Sequence, residues 1–162
     1  MKNILTGSLL ILGGLLTIQA QCTTITGLNE NFDNWNDIDK CWNAESSEAM
    51  IYHKEGRIVF YSMMNPNENM MLSTPKVKAG KYSLSFEALN KGAKATLVLY
   101  RLEDLSSPST FKAMSQEIEI SEGKRNFTIT LPEDNHIGFK VLLTGVHHAF
   151  YLDNVILKPV SK

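Results

Sequence analysis

The sequence predicts an all-β protein, an antiparallel β-sandwich of about eight to ten strands. Apolar and polar residues alternate in one run after another from Ile51 to the end of the chain. This period of two is typical of antiparallel strands that bury one face and expose the other. Turn-like segments such as "HKEGR", "SEGK" and "PEDN" separate the runs at the spacing of a sandwich.

The runs assign strands in chain order. "MIY" and "IVFYSMM" flank the "HKEGR" turn as a hairpin, and "ATLVLYRL" is apolar on both faces, so it belongs in the centre of a sheet. The segment "LEDLSSPSTFKAM" has room for a helical turn, limited by Pro108. Four further runs, "KYSLSFEA", "QEIEI", "RNFTITLP" and "HIGFKVLL", alternate, and their predicted core residues are Tyr82, Leu84, Phe86, Ala88, Ile118, Ile120, Phe127, Ile129, Leu131, Ile137, Phe139, Val141 and Leu143.

The final run, "FYLDNVIL", breaks its own alternation. Phe150 and Leu152 fall on one face, whereas the later apolar residues fall on the other by parity. A period-two pattern changes face only through an extra residue, so we predict a β-bulge at Asp153 and Asn154. Asp and Asn are both depleted from regular strands, so residue type and parity predict the bulge at the same position.

Length and charge narrow the function classes. The chain has 162 residues, of which 43% are hydrophobic and 20% charged, so it is long enough for one domain with a core of its own. Its formal net charge of −1 leaves no electrostatic footprint for nucleic acid or for acidic membranes. Both are therefore excluded from the expected partners.

The N-terminal segment, residues 1–20, is expected to be a secretory signal peptide ahead of a single domain at residues 21–162. A short positive start, "MKN", precedes an uncharged and mostly apolar stretch at residues 4–18, which is the layout of such a signal. A transmembrane anchor is the alternative, but a span needs about 20 apolar residues and this stretch is shorter. We predict cleavage after Ala20, no membrane span, and a secreted or cell-surface bacterial protein.

Export makes the two cysteines informative, because oxidising compartments favour disulfides. Cys22 and Cys41 are the only pair in the chain, and a bridge between them would pin the first strand to the segment that follows. Two free thiols are one alternative. A lipoprotein with Cys22 acylated is another, although Gln21 stands where bacterial lipoprotein signals want a small residue.

Three segments of the chain match one family pattern. They are "NENFDNW" near the start of the mature chain, "MMLSTPKVKAGKYSLSFEA" in the middle and "FYLDNVIL" at the end. Together they resemble galactose-binding-like jelly rolls, which include carbohydrate-binding modules and the cleaved-adhesin or MAM-like domains of secreted bacterial proteins. The resemblance implies that the sandwich is of jelly-roll type.

The resemblance also implies a structural calcium ion between neighbouring first and last strands. Carried over by motif position, Asp153 is the first candidate ligand and Asp33 the second, while Glu30 would replace or join Asp33. Calcium takes about six to eight oxygens, backbone carbonyls included, so a few acidic side chains in irregular backbone suffice. The alternative is that Asp153 caps the bulge by accepting backbone N–H bonds and that Asp33 is solvated.

For function, the resemblance implies a non-catalytic module whose partner is a glycan or a cell-surface protein. Carbohydrate binding is the first hypothesis and protein adhesion the second. A hydrolase is the third, because the sequence contains no G-x-S-x-G elbow and no other recognisable catalytic motif.

A sugar site in such modules is a groove with exposed aromatic rings and polar groups. Tyr61, Tyr100 and Tyr151 have parity opposite to apolar strand neighbours, so we expect them on an outer face, with Arg101 and Glu87 nearby. The alternative is that these tyrosines are half-buried and structural. The remaining aromatic candidates are Tyr52, Trp35 and Trp42.

Overall fold

Strands make up nearly all the regular structure of the described residues, which are 22–34, 41–46, 50–63, 67–90 and 94–160 in this computed structural model. The predicted signal segment and Trp35 lie outside them. A 3₁₀ turn at Pro108–Thr110 occupies the segment expected to hold a helical turn. The strands are β1 (Leu28–Glu30), β2 (Asn43–Ser46), β3 (Met50–Lys54), β4 (Arg57–Tyr61), β5 (Asn67–Ser73), β6 (Gly80–Asn90), β7 (Lys94–Leu102), β8 (Lys112–Ala113), β9 (Ile118–Glu119), β10 (Gly123–Leu131), β11 (His136–Thr144) and β12 (Ala149–Pro159).

The described residues contain more strands than the sequence predicts. Of the short elements, the two-residue β9 lies within the predicted run "QEIEI". The excess comes from others such as β1, with three residues, and β8, with two, which are too short to show an alternating pattern. The long strands β6, β7, β10, β11 and β12 coincide with the predicted runs.

Two antiparallel sheets form the sandwich. In the first, which we call sheet I, the strand order is β10-β6-β12-β4-β3, and β1 also pairs with β12. In the second, sheet II, the order is β2-β5-β11-β7-β8, and β9 also pairs with β7. The predicted all-β antiparallel sandwich is therefore confirmed, and the "ATLVLYRL" strand, β7, has neighbours on both sides.

One hydrophobic core lies between the sheets. Phe86 of sheet I and Phe139 of sheet II meet edge to face with ring centroids 5.6 Å apart, an arrangement that aromatic rings prefer. Of the core residues predicted from alternation, all but two are buried, and those two are partly exposed. At one edge the fully buried Phe32 packs against Trp42 with ring centroids 5.4 Å apart. The period-two pattern thus located the core in both sheets.

The predicted β-bulge is present in β12. Asp153 pairs with Glu87 of β6 and Ile156 pairs with Ser85, so three steps along β12 match two steps along β6. Asn154 has a φ of 48°, a left-handed conformation that asparagine tolerates better than most residues. The extra residue shifts the parity of the strand, so that apolar residues on both sides of it are buried: Phe150, Leu152, Val155 and Leu157.

The first and last strands are neighbours, as the family resemblance implies. β1 runs antiparallel to β12, with Leu28 opposite Leu157 and Glu30 opposite Val155. Because the start of β1 pairs with the end of β12, the backbone enters and leaves the sandwich at the same end.

The "HKEGR" hairpin turn has a backbone that requires glycine. Glu55 and Gly56 link β3 to β4 with positive φ values of 53° and 71°, the pattern of a type I′ turn. A side chain at Gly56 would also meet the segment after β1, because its Cβ would stand 2.7 Å from Oδ1 of Asp33. The turn and the opening segment are therefore in close contact.

Replacing Gly56 with alanine should lower the free energy of unfolding by roughly 1–2 kcal/mol through the left-handed conformation alone. The contact with the Asp33 carboxylate adds to this loss. Chemical denaturation of the wild type, Gly56→Ala, Asp33→Ala and the double variant separates the two contributions. The double variant lacks the contact with the Asp33 carboxylate, so the cost of adding Gly56→Ala to Asp33→Ala should be smaller than its cost in the wild type. A Gly56→Ala variant as stable as the wild type would contradict the turn geometry.

His136 opens β11 in a half-buried position. Its Nδ1 lies 2.8 Å from the carbonyl oxygen of Thr74, so the ring donates a hydrogen bond through Nδ1. Burial lowers the pKa of His136 below its ordinary value, and the nearby Lys76 lowers it further, while the hydrogen bond to Thr74 acts in the opposite direction. The folded protein therefore favours the neutral imidazole.

We expect His136 to make stability pH-dependent. A histidine whose pKa is depressed in the native state contributes fully above the unfolded pKa of about 6.5, and this contribution declines as the pH falls toward the native pKa. His136→Asn keeps an amide donor for Thr74 but does not titrate. Chemical denaturation at stepped pH should show a smaller loss of stability for this variant between about pH 7 and pH 5. If the wild type and His136→Asn lose stability equally as the pH falls, His136 is not the source of this pH dependence.

Candidate functional site

Asp153, the first of the predicted calcium ligands, is engaged by the chain itself. Its Oδ1 accepts the backbone N–H of Asn154 at 2.7 Å, and its Oδ2 lies 3.5 Å from Nε of Arg57. The first contact caps the bulge, as considered in the alternative to a metal. The second places a guanidinium beside the carboxylate and balances its charge.

Glu30 and Asp33 also have partners within the opening segment. Oε1 of Glu30 accepts the backbone N–H of Phe32 at 2.9 Å, and Oδ2 of Asp33 accepts the side-chain amide of Asn31 at 2.6 Å. Within the described ranges, no three Asp, Glu, His or Cys side chains are grouped to hold a metal ion. The first and last strands meet as the resemblance implies, and the three predicted carboxylates all have contacts within the chain.

Cys22 and Cys41 are joined by a disulfide, with their Cα atoms 5.5 Å apart. The bridge closes the segment that contains β1 and ends beside the buried Trp42. A sulfur in a disulfide has no valence left for the thioether of a lipoprotein. The bridge and acylation of Cys22 therefore exclude each other.

The four predicted ligand-binding residues do not share one surface. Tyr61 in β4 and Tyr151 in β12 lie on the outer face of sheet I, whereas Tyr100 in β7 lies on the outer face of sheet II. Arg101 follows Tyr100 directly, so its side chain leaves the strand on the opposite face, toward the edge of the core. Strand order therefore divides the predicted residues between the two sides of the sandwich, with Tyr61 and Tyr151 on one side and Tyr100 on the other.

Two adjacent cavities on the outer face of sheet II share Tyr100 as a wall. Their volumes are about 610 and 240 Å³, and the larger one is within the range of ligand sites in proteins. Tyr100, Asn69 and Lys140 line both cavities, so the two form one groove, which we call the Tyr100 groove.

The strand register arranges the side chains of the Tyr100 groove in rows. Lys140 of β11 is opposite Met71 of β5 on one side and Val98 of β7 on the other. In the next row Gly138 of β11 is opposite Tyr100, so no side chain stands beside the ring on that strand. The Lys140 ammonium lies 5.7 Å from the centre of the Tyr100 ring, within cation–π distance. The groove therefore has an apolar floor and an aromatic wall with a cation beside it.

A short loop closes one side of the Tyr100 groove with Pro108 and Phe111. Asp104 organises this loop by accepting hydrogen bonds from the backbone N–H and the hydroxyl of Ser106 at 2.9 and 2.7 Å. The hydrogen bonds from Ser106 hold the pKa of Asp104 below its ordinary value. A loop with its own internal hydrogen bonds thus presents a second aromatic ring to the groove.

The rim of the Tyr100 groove offers hydrogen-bonding groups of both kinds. Lys140 contributes a donor, Glu45 an acceptor and the Asn69 amide both. At the other end Glu117 accepts the hydroxyl of Thr96 at 2.9 Å. Such a surface can pack against an apolar ring face and exchange hydrogen bonds with hydroxyl groups.

Sequence reasoning located Tyr100 but missed Lys140 and Phe111. Lys140 occupies a polar position in the alternating run "HIGFKVLL", and its parity marks it as outward-facing, so that signal was available. Phe111 lies between the 3₁₀ turn and β8, where no period indicates which way a side chain points. Only the path of the loop brings it to the groove.

Comparison with solved structures identifies the fold. The K3 cleaved adhesin domain of Lys-gingipain from Porphyromonas gingivalis is 17% identical, with a TM-score of 0.59 over 81% of this chain and 97% of that one. The K1 cleaved adhesin domain of the same protein is 19% identical, with a TM-score of 0.56 over 85% and 100%. A mutant of the family 29 carbohydrate-binding module CBM29-2 is 11% identical, with a TM-score of 0.52 over 82% and 91%.

No protein-family model and no curated protein sequence matches the chain. At the identities above, the likeness to solved structures concerns the arrangement of strands, which covers most of both chains in each comparison. The chain is a jelly-roll β-sandwich of the kind found in cleaved adhesin domains and carbohydrate-binding modules.

Proposed function

We propose that this protein is a non-catalytic module that binds carbohydrate in the Tyr100 groove. The observation that carries the proposal is the groove itself, in which an aromatic wall separates two connected cavities with donors and acceptors on the rim. The fold likeness supports it, since the family 29 module is by its name a carbohydrate binder with the same architecture.

Tyr100 is the residue expected to contact the sugar ring. The apolar C–H face of a pyranose packs against an aromatic ring and removes apolar area from water. Lys140 and Asn69 then donate hydrogen bonds to hydroxyl oxygens, while Glu45 accepts them from hydroxyl groups. Because Tyr100 separates two connected cavities, the groove suits two or more linked sugars better than one.

Adhesion to a cell-surface protein is the second candidate function. The observation that favours it is β10, which pairs only with β6 in the part of the chain that the structure describes. A strand with one unpaired side accepts a further strand from a partner. The cleaved adhesin domains of Lys-gingipain share the fold.

We propose further that the protein is exported, as its N-terminal sequence indicates. The Cys22–Cys41 bridge supports this proposal, because disulfides persist in oxidising compartments. Among the described residues, no helix has the length and apolar character that crossing a bilayer requires.

The structural calcium stays a prediction, and thermal unfolding tests it. An ion that binds only the native state raises the unfolding midpoint, so calcium and chelator give different midpoints if a site exists. Asp153, Asp33 and Glu30 have contacts within the chain that a bound ion would share or displace. The prediction expects a higher midpoint with calcium than with chelator, and equal midpoints would refute it.

Replacing Tyr100 with alanine should lower the apparent affinity for the glycan by about 10- to 100-fold, the effect of losing roughly 1.5–3 kcal/mol of apolar contact. Tyr100→Phe keeps the ring and should retain most of the affinity. The measurement is affinity electrophoresis of the full chain against a panel of soluble polysaccharides.

Tyr61→Ala is the matched control for Tyr100→Ala. Tyr61 lies on the other sheet, where its hydroxyl is 2.9 Å from Nδ1 of His147, and its removal should leave glycan retention unchanged. Failure of the wild type to be retained by any polysaccharide would refute carbohydrate binding, and unchanged retention of Tyr100→Ala would refute the location.

A further inference from the structure

A second cavity lies on the opposite side of the sandwich, beside the β-bulge. Its volume is about 350 Å³, and it occupies the outer face of sheet I over β6, β10 and β12. We call it the bulge cleft, and the residues of its lining used below are Arg57, Glu87, Glu122, Lys124, Tyr151 and Asp153. We propose that the bulge cleft is a second carbohydrate-binding site, separate from the Tyr100 groove.

Two acidic side chains face each other at the centre of the bulge cleft. Asp153 of β12 and Glu87 of β6 are direct partners in the antiparallel register. Like charges at such positions repel each other, and Arg57 and the Asn154 amide offset only part of this repulsion. A ligand that donates hydrogen bonds to both carboxylates would lower the rest.

The chain satisfies these polar groups only in part. Glu87 accepts the side-chain amide of Asn154 with Oε2 at 3.2 Å, and within the described residues its Oε1 has no hydrogen-bond partner. Lys124 of β10 is directly opposite Glu87 in the register, yet the ion pairs of the described residues do not join the two. A carboxylate oxygen and an ammonium group on the cleft wall therefore remain available to a ligand.

Tyr151 supplies the aromatic wall of the bulge cleft. In register it lies between Val59 of β4 and Leu89 of β6, and Tyr52 of β3 is opposite Val59. These four side chains cross the outer face of sheet I in one row. Val59 is fully buried although it points away from the core, so the row is a packed surface that holds Tyr151 in place.

The groups present select an uncharged ligand rich in hydroxyls. Carboxylates accept hydrogen bonds from hydroxyl groups, an ammonium donates to hydroxyl oxygens, and a tyrosine ring packs against the apolar face of a sugar. Three acidic residues against two basic ones disfavour phosphate and other anions. A metal ion does not fit, since the described residues group no three Asp, Glu, His or Cys side chains for one.

The ligand class rests on the proposed function, whereas the bulge cleft is a site of its own. The Tyr100 groove is on the outer face of sheet II, and the bulge cleft is on the outer face of sheet I. A straight stretch of one polysaccharide chain therefore cannot fill both sites at once. A module with two such sites bridges separate polysaccharide chains. Binding at one site raises the effective concentration of polysaccharide at the other site.

The number of binding events per chain tests this proposal. The probes are soluble mixed-linkage β-glucan, galactan, galactomannan and xylan, and then an oligosaccharide prepared from whichever of them is retained. In isothermal titration with that oligosaccharide we expect two binding events per wild-type chain, and one in Tyr100→Ala or in Glu87→Ala. Light scattering should show that the wild type clusters the polysaccharide and that neither variant does.

Each alternative result separates the two sites. A single event in the wild type that Tyr100→Ala abolishes would overturn the bulge cleft and leave the Tyr100 groove intact. A single event that Glu87→Ala and Tyr151→Ala abolish would support the bulge cleft and overturn the groove, and no retention on any probe would overturn both. Circular dichroism checks that each variant folds, and Glu133→Ala, an exposed acid outside both linings, should match the wild type.

Discussion

The β-bulge in β12 is the constraint on which both faces of sheet I depend. β6 lies along one side of β12, while the other side is shared by β4 before the bulge and by β1 after it. One extra residue lets the two halves of the strand bury their apolar side chains in the same core even though their spacing is out of phase. Asp153, which accepts the Asn154 N–H at the bulge, also lies beside Arg57 on the outer surface. The bulge therefore joins core packing to the chemistry of the outer surface.

The parts of the fold that follow from local physics could be predicted from the sequence. Alternation assigned the inward faces of β6, β10 and β11, the "HKEGR" turn followed from its glycine, and the bulge followed from a break in parity. The pairing of β1 with β12 is different, because no local pattern connects residues at opposite ends of a chain. It came from the family motifs, whereas β8 escaped detection because two residues carry no period.

The candidate site was less accessible to sequence reasoning, and the reason is topological. Parity shows that Tyr100, Tyr151 and Tyr61 point outward, but it does not show which of two sheets each strand joins. Strand order divides them, so that β7 contributes to one face and β4 and β12 to the other. The Tyr100 groove needs three strands in register and a loop that ends at Phe111. Such a surface exists only once the long-range pairings are in place.

The disulfide determines how the domain bears mechanical force. Tension along the backbone that enters at Cys22 passes through the sulfur bridge to Cys41, so the loop between them, β1 included, carries no load. Without the bridge the same pull would peel three residues of β1 from β12, one hydrogen bond after another from the loaded end. The disulfide thus keeps the short pairing of β1 with β12 out of the path of the load. A domain tethered in flowing liquid would keep its first strand seated for as long as the cystine stays intact.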